Sequence, residues 1–255
     1  MRDVLGIAQA NRHTADRIAV ALLAPDPRFA RTSDGRWTLV ASPAGSPALD
    51  TCRFAVVDVE TTGTRARRGD RIMEIAVVIQ GQVTFHTLVN PGIPIPPFVA
   101  TLTGISDAMI TQAPSFDAVV DGLLDVLRGT VFVAHNARFD WAFVTAEIER
   151  ARGLVLQGPR VCTLRLARRL LPELPRRNLD TVADFFGVTI EGRHRAVGDA
   201  VAAGRILDRL LGIAKEQGAV SLADLTAGLG ARGLGLGGPG GPSPQPQVPS
   251  PQPRP

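Results

Sequence analysis

Three apolar segments follow one another closely in the first half of the chain, and their succession limits the fold more than any other feature. They span residues 54–60, 71–79 and 82–89, and each has the length and the content of branched apolar residues that are typical of a β-strand. Only Gln80 and Gly81 separate the last two segments, and such a connection favours a tight antiparallel turn. The sequence therefore predicts a three-stranded antiparallel meander.

Segments with helical periodicity follow the predicted meander. Their apolar residues recur three and four positions apart, as on one face of an α-helix. A short apolar run at 131–134 indicates a further buried strand. Helices are predicted at residues 116–127, 138–152, 162–171, 179–186 and 196–216. A meander followed by helices that alternate with strand predicts a mixed sheet flanked by helices, which is the α/β class.

Composition divides the chain into three parts. Residues 1–50 contain a helical segment at about 15–23 and two short apolar runs within 29–40, which predict a helix followed by a β-hairpin. This extension weakly resembles part of a winged-helix domain, and a small packing extension explains it equally well. Residues 51–218 form the dense globular part. Residues 219–255 are rich in glycine and then in proline, glutamine and serine, which predicts a disordered tail.

Size and composition exclude several classes of protein. A chain of 255 residues and 27.0 kDa can bury one sizeable core and carry small extensions. It has no long apolar run, and Cys52 and Cys162 lie in no zinc-binding pattern, so we expect a soluble, cytoplasmic protein without a membrane span or zinc. The net charge of +4 and the pI of about 10.2 favour polyanionic partners without proving one.

The first predicted strand ends in two acidic residues, Asp58 and Glu60. Side chains two positions apart on a strand project from the same face, so these two carboxylates would point together. Adjacent carboxylates lose hydration and repel each other unless a cation or a shared proton compensates. Taken alone, the pair is more typical of a strand edge whose acids reach water. Further acids at the same place would indicate a site for divalent cations.

A second polar segment, H-N-A-R-F-D at residues 135–140, follows the strand predicted at 131–134. Asn136 is expected to be the N-cap of the next helix, and the helix dipole favours Asp140 in the first turn. A purely structural explanation is therefore sufficient for this segment by itself. His135 has no second histidine or cysteine at ligand spacing, so it is predicted to be a hydrogen-bonded structural residue.

A third segment, H-R-A-V-G-D at residues 194–199, enters the last long helix. Five helical residues advance about 500°, which would leave the first and last side chains about 140° apart. His194 and Asp199 can therefore serve one site only if His194 precedes the helix in a loop. Histidine accepts and releases protons near neutral pH, whereas acids that bind metal ions must stay ionised.

Together, the three segments resemble, in order and in internal spacing, the motifs of the DEDDh exonucleases. This is the DnaQ-like family, which includes polymerase proofreading subunits and ribonuclease T. The first segment reads D-V-E-T-T-G at residues 58–63, and the resemblance extends from about residue 53 to residue 215. A sister branch has tyrosine four residues before the final aspartate, where this chain has Arg195 and contains no tyrosine at all. The histidine branch is therefore the one that matches.

The resemblance implies a ribonuclease-H-like fold with a five-stranded mixed sheet flanked by helices. It also implies four metal ligands, which would bind two Mg²⁺ or Mn²⁺ ions, and one general base. The ligands are Asp58, Glu60, Asp140 and Asp199, and the base is His194. Residues expected to hold the terminal nucleotide are Thr61, Thr62, Gly63, Leu102, Thr103, Gly104, Ile105, Asn136 and Phe139. For Phe139 and the nearby Phe143, packing in the core is the favoured alternative.

Such an enzyme would hydrolyse phosphodiester bonds at the 3′ ends of single-stranded nucleic acid and release nucleoside 5′-monophosphates. DNA is the expected substrate, in proofreading or repair, and RNA trimming is the alternative within the family. A catalytically silent module that binds nucleic acid or a polymerase is the alternative of another class. The expected protein partner is a polymerase catalytic subunit, and residues 217–225 faintly resemble the glutamine-plus-hydrophobic peptides that bind sliding clamps.

Overall fold

A computed structural model describes residues 16–18, 20–21, 24, 29–31, 37–39 and 46–226. Within these residues, seven strands form two sheets. Strands β1 and β2 pair antiparallel in the N-terminal extension, and the other five strands form one mixed sheet in the order β5-β4-β3-β6-β7. The strands are β1 Phe29–Arg31, β2 Trp37–Leu39, β3 Phe54–Thr61, β4 Ile72–Ile79, β5 Gln82–Leu88, β6 Val131–Ala134 and β7 Arg160–Cys162.

The predicted antiparallel meander is confirmed in the large sheet. Strand β4 pairs antiparallel with both β3 and β5, whereas β6 and β7 join in parallel on the other side of β3. Gln80 and Gly81 connect β4 to β5 with φ angles of 51° and 75°, the left-handed conformation that a two-residue hairpin turn requires. The result is the predicted five-stranded mixed sheet of the α/β class.

Helices cover both faces of this sheet. The five helices predicted from periodicity are present, and three short ones were not predicted. In chain order the helices are α1 Pro97–Thr103, α2 Asp107–Ile110, α3 Phe116–Leu127, α4 Arg138–Arg152, α5 Thr163–Leu170, α6 Leu179–Phe186, α7 Ala196–Glu216 and α8 Leu222–Thr226. None of the helices among the described residues is long and apolar enough to cross a membrane.

The core has two large halves, one on each face of the sheet, and a third, smaller cluster around Met73 and Ile105. Successive side chains of β3 point alternately into the two halves. Val57 packs in the half that contains α3 and α4, whereas Val56 packs in the half that contains α7. Asp58 and Glu60 have the same parity as Val56, so they lie on the α7 face of the sheet. The long helix α7 therefore runs directly past the two acids.

The segments before β3 and after α7 are joined to each other. The backbone N–H of Leu49 donates to Val220 at 3.0 Å, and that of Leu222 donates to Pro47 at 2.9 Å. Lys215 Nζ lies 2.5 Å from Asp50 Oδ1 beside this pairing. The segment that leads into β3 and the segment that follows α7 therefore lie side by side.

The folded structure extends further toward the C-terminus than the composition indicated. Leu222 and Leu225 of α8 are buried in the α7 half of the core. Residues 219–226 therefore belong to the folded part and not to a disordered tail, and residues 227–255 of the predicted tail lie outside the described residues. A clamp-binding peptide within 217–225 would have to expose these leucines, so this segment is not available for such binding in the folded state.

The N-terminal extension is described only in part. Residues 16–18 and 20–21 are helical, and β1 and β2 pair in register from Phe29–Leu39 to Arg31–Trp37. The remaining residues of the predicted helix and hairpin, and residues 1–15, lie outside the described part of the chain. The resemblance to a winged-helix domain stays a prediction, and so does the division of the chain into three parts, apart from the corrected start of the tail.

Candidate active site

Three acidic side chains meet at the end of β3. Asp58 and Glu60 project from the strand, and Asp199 reaches them from the first turn of α7. One carboxylate oxygen of each lies within 4.8 Å of one from each of the other two. Strand alternation predicted the shared face of Asp58 and Glu60, whereas the approach of Asp199 was implied by the resemblance to the exonuclease family.

Asp140 approaches the same cluster from α4. It lies outside the group of three, yet it is buried, and its charge raises the pKa of Asp58. Burial raises the pKa of Asp140 itself to about 8, although the backbone amides of Asp140 and Val59 oppose this shift. All four predicted acids thus lie close enough to affect one another's ionisation. Oxygens of three of them lie close enough together to bind a single cation.

The other acids of the cluster are also hard to ionise together. Burial, followed by the charges of Asp140 and Asp199, raises the pKa of Asp58 well above its usual value. Burial, followed by the charge of Asp199, raises that of Glu60 to about 7. The pKa of Asp199 is raised chiefly by burial, while Arg193 lowers it. A set of carboxylates with this much mutual repulsion is stabilised by cations.

Asp199 shows most directly that a metal ion fits here. Its Oδ2 accepts a hydrogen bond from Arg193 Nη1, whereas its Oδ1 is buried and has no hydrogen-bond partner in the structure. An unpaired buried carboxylate oxygen is costly unless a ligand satisfies it. Carboxylate oxygens are the donors that Mg²⁺ and Mn²⁺ prefer. The residues present therefore fit hard divalent cations.

Arg193 is a part of the site that the sequence motifs did not indicate. Its guanidinium binds Asp199, and it binds Asp180 of α6 through Nε at 2.7 Å and Nη2 at 3.2 Å. Its Nη1 also lies 3.4 Å from Nδ1 of His194. Arg193 therefore supplies one positive charge inside the acidic cluster.

His194 lies in the loop that precedes α7, as its spacing from Asp199 required. The helix begins at Ala196 with Arg195 as its N-cap residue, and His194 adopts a φ of 60°. A left-handed conformation is uncommon for residues other than glycine and is maintained only when surrounding contacts impose it. The structure thus holds the predicted base beside the acids in a constrained turn.

Gly198 allows this turn to pack against α7. A Cβ atom at this position would lie 1.8 Å from the carbonyl oxygen of Glu191 and 2.8 Å from that of Gly192. The backbone of the loop 191–195 therefore touches the first turn of the helix where no side chain could fit. The glycine of the H-R-A-V-G-D motif is explained by this close approach.

The residues expected to hold the terminal nucleotide are a mixture of buried and exposed groups. Thr61 and Thr62 are buried, and their hydroxyls take part in hydrogen bonds with Gly63 and Arg71. In the segment 102–105, Thr103 and Ile105 are buried, while Leu102 and Gly104 are exposed. Asn136 is exposed, and Phe139 is half-buried with its ring 4.9 Å from that of Phe143. Their roles in binding stay predictions.

Two expectations for the second motif have different outcomes. The prediction that Asn136 caps α4 is wrong: the N-cap residue is Ala137, and Asn136 has a φ of 72°, which places it in a left-handed turn before the helix. His135 is a hydrogen-bonded structural residue, as predicted. Its ring nitrogens lie 2.9 Å from Thr163 Oγ1 and 2.9 Å from the carbonyl oxygen of Arg177.

Sequence reasoning also missed a buried acid on β4. Glu74 lies directly opposite Glu60 and is fully buried. Its carboxylate accepts hydrogen bonds from Arg195 Nε at 3.0 Å, Arg195 Nη2 at 2.9 Å and the backbone N–H of Ala196 at 3.1 Å. An isolated glutamate among the apolar residues of β4 was the signal that could have revealed it.

A five-stranded mixed sheet of this order, with carboxylates gathered beside a loop histidine, defines the ribonuclease-H-like exonucleases as the class. The exonuclease family model of the ribonuclease T type matches residues 55–207. The chain therefore belongs to this family, the DEDDh or DnaQ-like 3′-5′ exonucleases that its motifs indicated.

Two relatives and one solved structure illustrate the similarity. The chain is 39% identical over 178 residues to the PolC-type DNA polymerase III of Caldanaerobacter subterraneus. The aligned region covers 68% of this chain and 13% of that protein. It is 34% identical over 161 residues to the DNA polymerase III subunit epsilon of Aquifex aeolicus, covering 62% of this chain and 80% of that protein.

The solved structure is exonuclease X in complex with 5′ overhanging duplex DNA. It matches with a TM-score of 0.53 and 26% identity, covering 68% of this chain and 99% of that chain. Because this chain spans only 13% of the PolC-type relative, that similarity concerns one segment of a much larger protein.

Proposed function

We propose that this protein is a metal-dependent 3′-5′ exonuclease that hydrolyses the terminal phosphodiester bonds of single-stranded DNA and releases nucleoside 5′-monophosphates. The observation that carries the proposal is the group of three carboxylates within 4.8 Å, one of which has a buried, unpartnered oxygen. The choice of DNA is supported by the names of the relatives, which are DNA polymerase III components, and by the DNA complex of exonuclease X.

In this proposal, Asp58, Glu60, Asp140 and Asp199 would hold two Mg²⁺ or Mn²⁺ ions. Such ions acidify an attacking water and neutralise the charge that develops on the phosphate. The protein contributes the fixed positions of the four acids, three on the β3–α7 side and Asp140 on α4. His194 would accept the proton of the attacking water from its position in the loop that precedes the helix.

The backbone around Thr61–Gly63 and the exposed residues of the 102–105 segment are proposed to hold the terminal nucleotide. Leu102 is 45% exposed, so its side chain is available to a base. Thr103 and Ile105 are buried and would support the segment from below. Phe139 packs against Phe143, which favours a supporting role over base stacking for this ring.

Association with a DNA polymerase is proposed because the two relatives described above are named as DNA polymerase III components. Proofreading is the role that such an association would give to a 3′-5′ exonuclease. Repair, without a stable polymerase partner, is the alternative that uses the same chemistry.

A degradation panel tests the proposal. Purified protein is incubated with 3′-labelled single-stranded DNA, mismatched primer-template and single-stranded RNA, with Mg²⁺ or Mn²⁺ and with EDTA. Release of mononucleotides from DNA that requires metal is expected, and Asp58→Ala should reduce it to background because one face of the cation site is lost. The matched control is Asp125→Ala, which removes an exposed acid that is paired with the exposed Arg128.

The outcomes separate the alternatives. Preference for RNA would replace the DNA assignment with RNA trimming. Absence of cleavage by the unmodified protein with either metal would favour a silent binding module. Full activity of the Asp58→Ala variant would overturn the mechanism.

A further inference from the structure

Glu74 has an environment that a buried acid rarely has without a specific role. It is one of eight fully buried residues in β4, and all the others are apolar. Burying a carboxylate is costly, and placing it directly opposite Glu60 adds repulsion between like charges. Such an arrangement persists only when the acid is thoroughly satisfied by partners.

The partners of Glu74 converge on the start of α7. Arg195 approaches it with two parallel N–H groups, and the backbone N–H of Ala196 is one of the helix N-terminal donors that have no partner within the helix. His86 Nε2 lies 2.8 Å from Oε1 of Glu74. The N-cap residue of α7 makes no capping bond of its own, so Glu74 caps this helix from a neighbouring strand.

His194 is the residue immediately before this anchored position. Arg195 on one side is fixed by Glu74, and Arg193 on the other side is fixed by Asp180 and Asp199. His194 itself has a φ of 60°, a conformation that needs external support. The residues on both sides of His194 are therefore held in place by ion pairs.

A neutral side chain at position 74 could not form the same ion pair with Arg195. Glutamine at position 74 could still accept a hydrogen bond from Ala196, but its single carbonyl oxygen could not receive the paired N–H groups of Arg195 as an ion pair. The charge of Glu74 is thus needed for Arg195 specifically, and not merely for capping the helix.

We propose that Glu74 is a positioning residue, which acts through Arg195 to hold His194 in the orientation needed for proton transfer. The inference rests on the proposed exonuclease function. Glu74 touches neither the substrate nor the reacting atoms in this account, and its effect on cleavage depends on the histidine.

The first test is kinetic. Glu74→Gln is expected to lower kcat on single-stranded DNA by about 10- to 100-fold, while KM changes by less than about threefold. Arg195→Lys should give a loss of similar size, because lysine cannot form the paired contact. Glu191→Gln is the matched control, since it removes an exposed acid in the same loop and should leave kcat unchanged.

A double-variant comparison separates positioning from a general structural role. If Glu74 acts through His194, then Glu74→Gln should cause no further loss in a His194→Ala background. A loss of the same factor in both backgrounds would overturn the inference, and so would a normal kcat in the Glu74→Gln variant.

A spectroscopic test does not depend on cleavage. With ¹³C-labelled histidine, the ring resonance of His194, assigned by its absence in His194→Ala, should shift or broaden in Glu74→Gln and stay unchanged in Glu191→Gln. An unaltered resonance would contradict the inference. If the unmodified protein cleaves no nucleic acid, the proposed function fails, and this measurement still decides whether Glu74 fixes the histidine.

Discussion

Glu60 and Glu74 lie directly opposite each other on neighbouring strands, yet the pKa values of their carboxyl groups are shifted in opposite directions. Burial and then Asp199 raise the pKa of Glu60 to about 7. Burial would also raise the pKa of Glu74, but hydrogen bonds from Arg195, His86 and Ala196 outweigh it and lower the pKa. The protein thus neutralises one acid with its own groups, whereas the other belongs to the cluster that we propose to bind cations.

Arg193 is expected to compete with metal ions for Asp199. Arg193→Gln should raise the affinity for Mn²⁺ by about tenfold, equivalent to about 1.4 kcal/mol, because one positive charge is removed from the cation site. Calorimetric titration of the metal-free protein without nucleic acid measures this. Arg205→Gln, which removes an exposed charge from α7, is the control, and equal affinities in the two variants would refute the competition.

Gly198→Ala is expected to displace the loop that carries His194. A Cβ atom would lie 1.8 Å from the Glu191 carbonyl oxygen, so the backbone must move, and we expect cleavage to fall by at least about 100-fold. Gly212→Ala is the control, because no atom lies within 4 Å of its added Cβ, and alanine should stabilise the helix by up to about 1 kcal/mol. Initial rates and thermal unfolding of both variants provide the comparison. Equal activity would show that the close approach is unimportant.

Glu147 is expected to contribute strongly to stability through two arginines. It is 2% exposed, and its carboxylate binds Arg71 Nε at 2.7 Å and Arg150 Nη1 at 2.7 Å. Glu147→Gln should lower the free energy of unfolding by about 3 kcal/mol, since the buried side chain at this position can no longer form ion pairs with Arg71 and Arg150. Urea denaturation measures the change. The exposed neighbour Glu149→Gln should change it by less than about 0.5 kcal/mol, and similar values for both would contradict the assignment.

His135 is expected to make the protein less stable in acid. Burial, followed by the charge of Arg193, lowers its pKa to about 4 even though the Arg177 carbonyl opposes this, whereas in the unfolded chain it is about 6.5. The unfolded state therefore binds the proton first, and this contribution is complete above pH 6.5 and is lost as the pH falls toward 4. The loss should reach about 3 kcal/mol.

Chemical denaturation between pH 7 and pH 4 measures this contribution as a difference between the unmodified protein and His135→Gln. The difference should shrink as the pH falls. A constant difference over this range would show that His135 is protonated equally in both states.

The parts of the site that follow from strand parity and helix position could be predicted from the sequence. Alternation places Asp58 and Glu60 on one face, and the spacing of His194 from Asp199 places the histidine in the loop before the helix. The meeting of Asp199 with the two strand acids was implied only by the resemblance to the exonuclease family. Arg193 was not predicted, because its role depends on Asp180, which belongs to a different helix. Glu74 was not predicted as a partner of Arg195, because 121 residues separate them in the chain.

The missed fold elements also have physical reasons. Helix α1 begins within a segment that contains Pro94, Pro96 and Pro97, which resembles a loop, although proline is well accepted in a first helical turn. Helix α2 is four residues long and strand β7 is three, which is too short for periodicity to show. Asn136 was assigned as a cap because its side chain suits that role, but the same residue type also tolerates a left-handed turn.

The pairing of Leu49 with Val220 has a consequence for how this unit can be carried by other proteins. The segments that lead into and out of this folded unit are hydrogen-bonded to each other. If the unit were inserted into another protein, the two ends of the host chain would therefore need to be only about 5 Å apart, the spacing of neighbouring strands. Such a unit can be spliced into a surface loop of a larger polypeptide without pulling the host's ends apart.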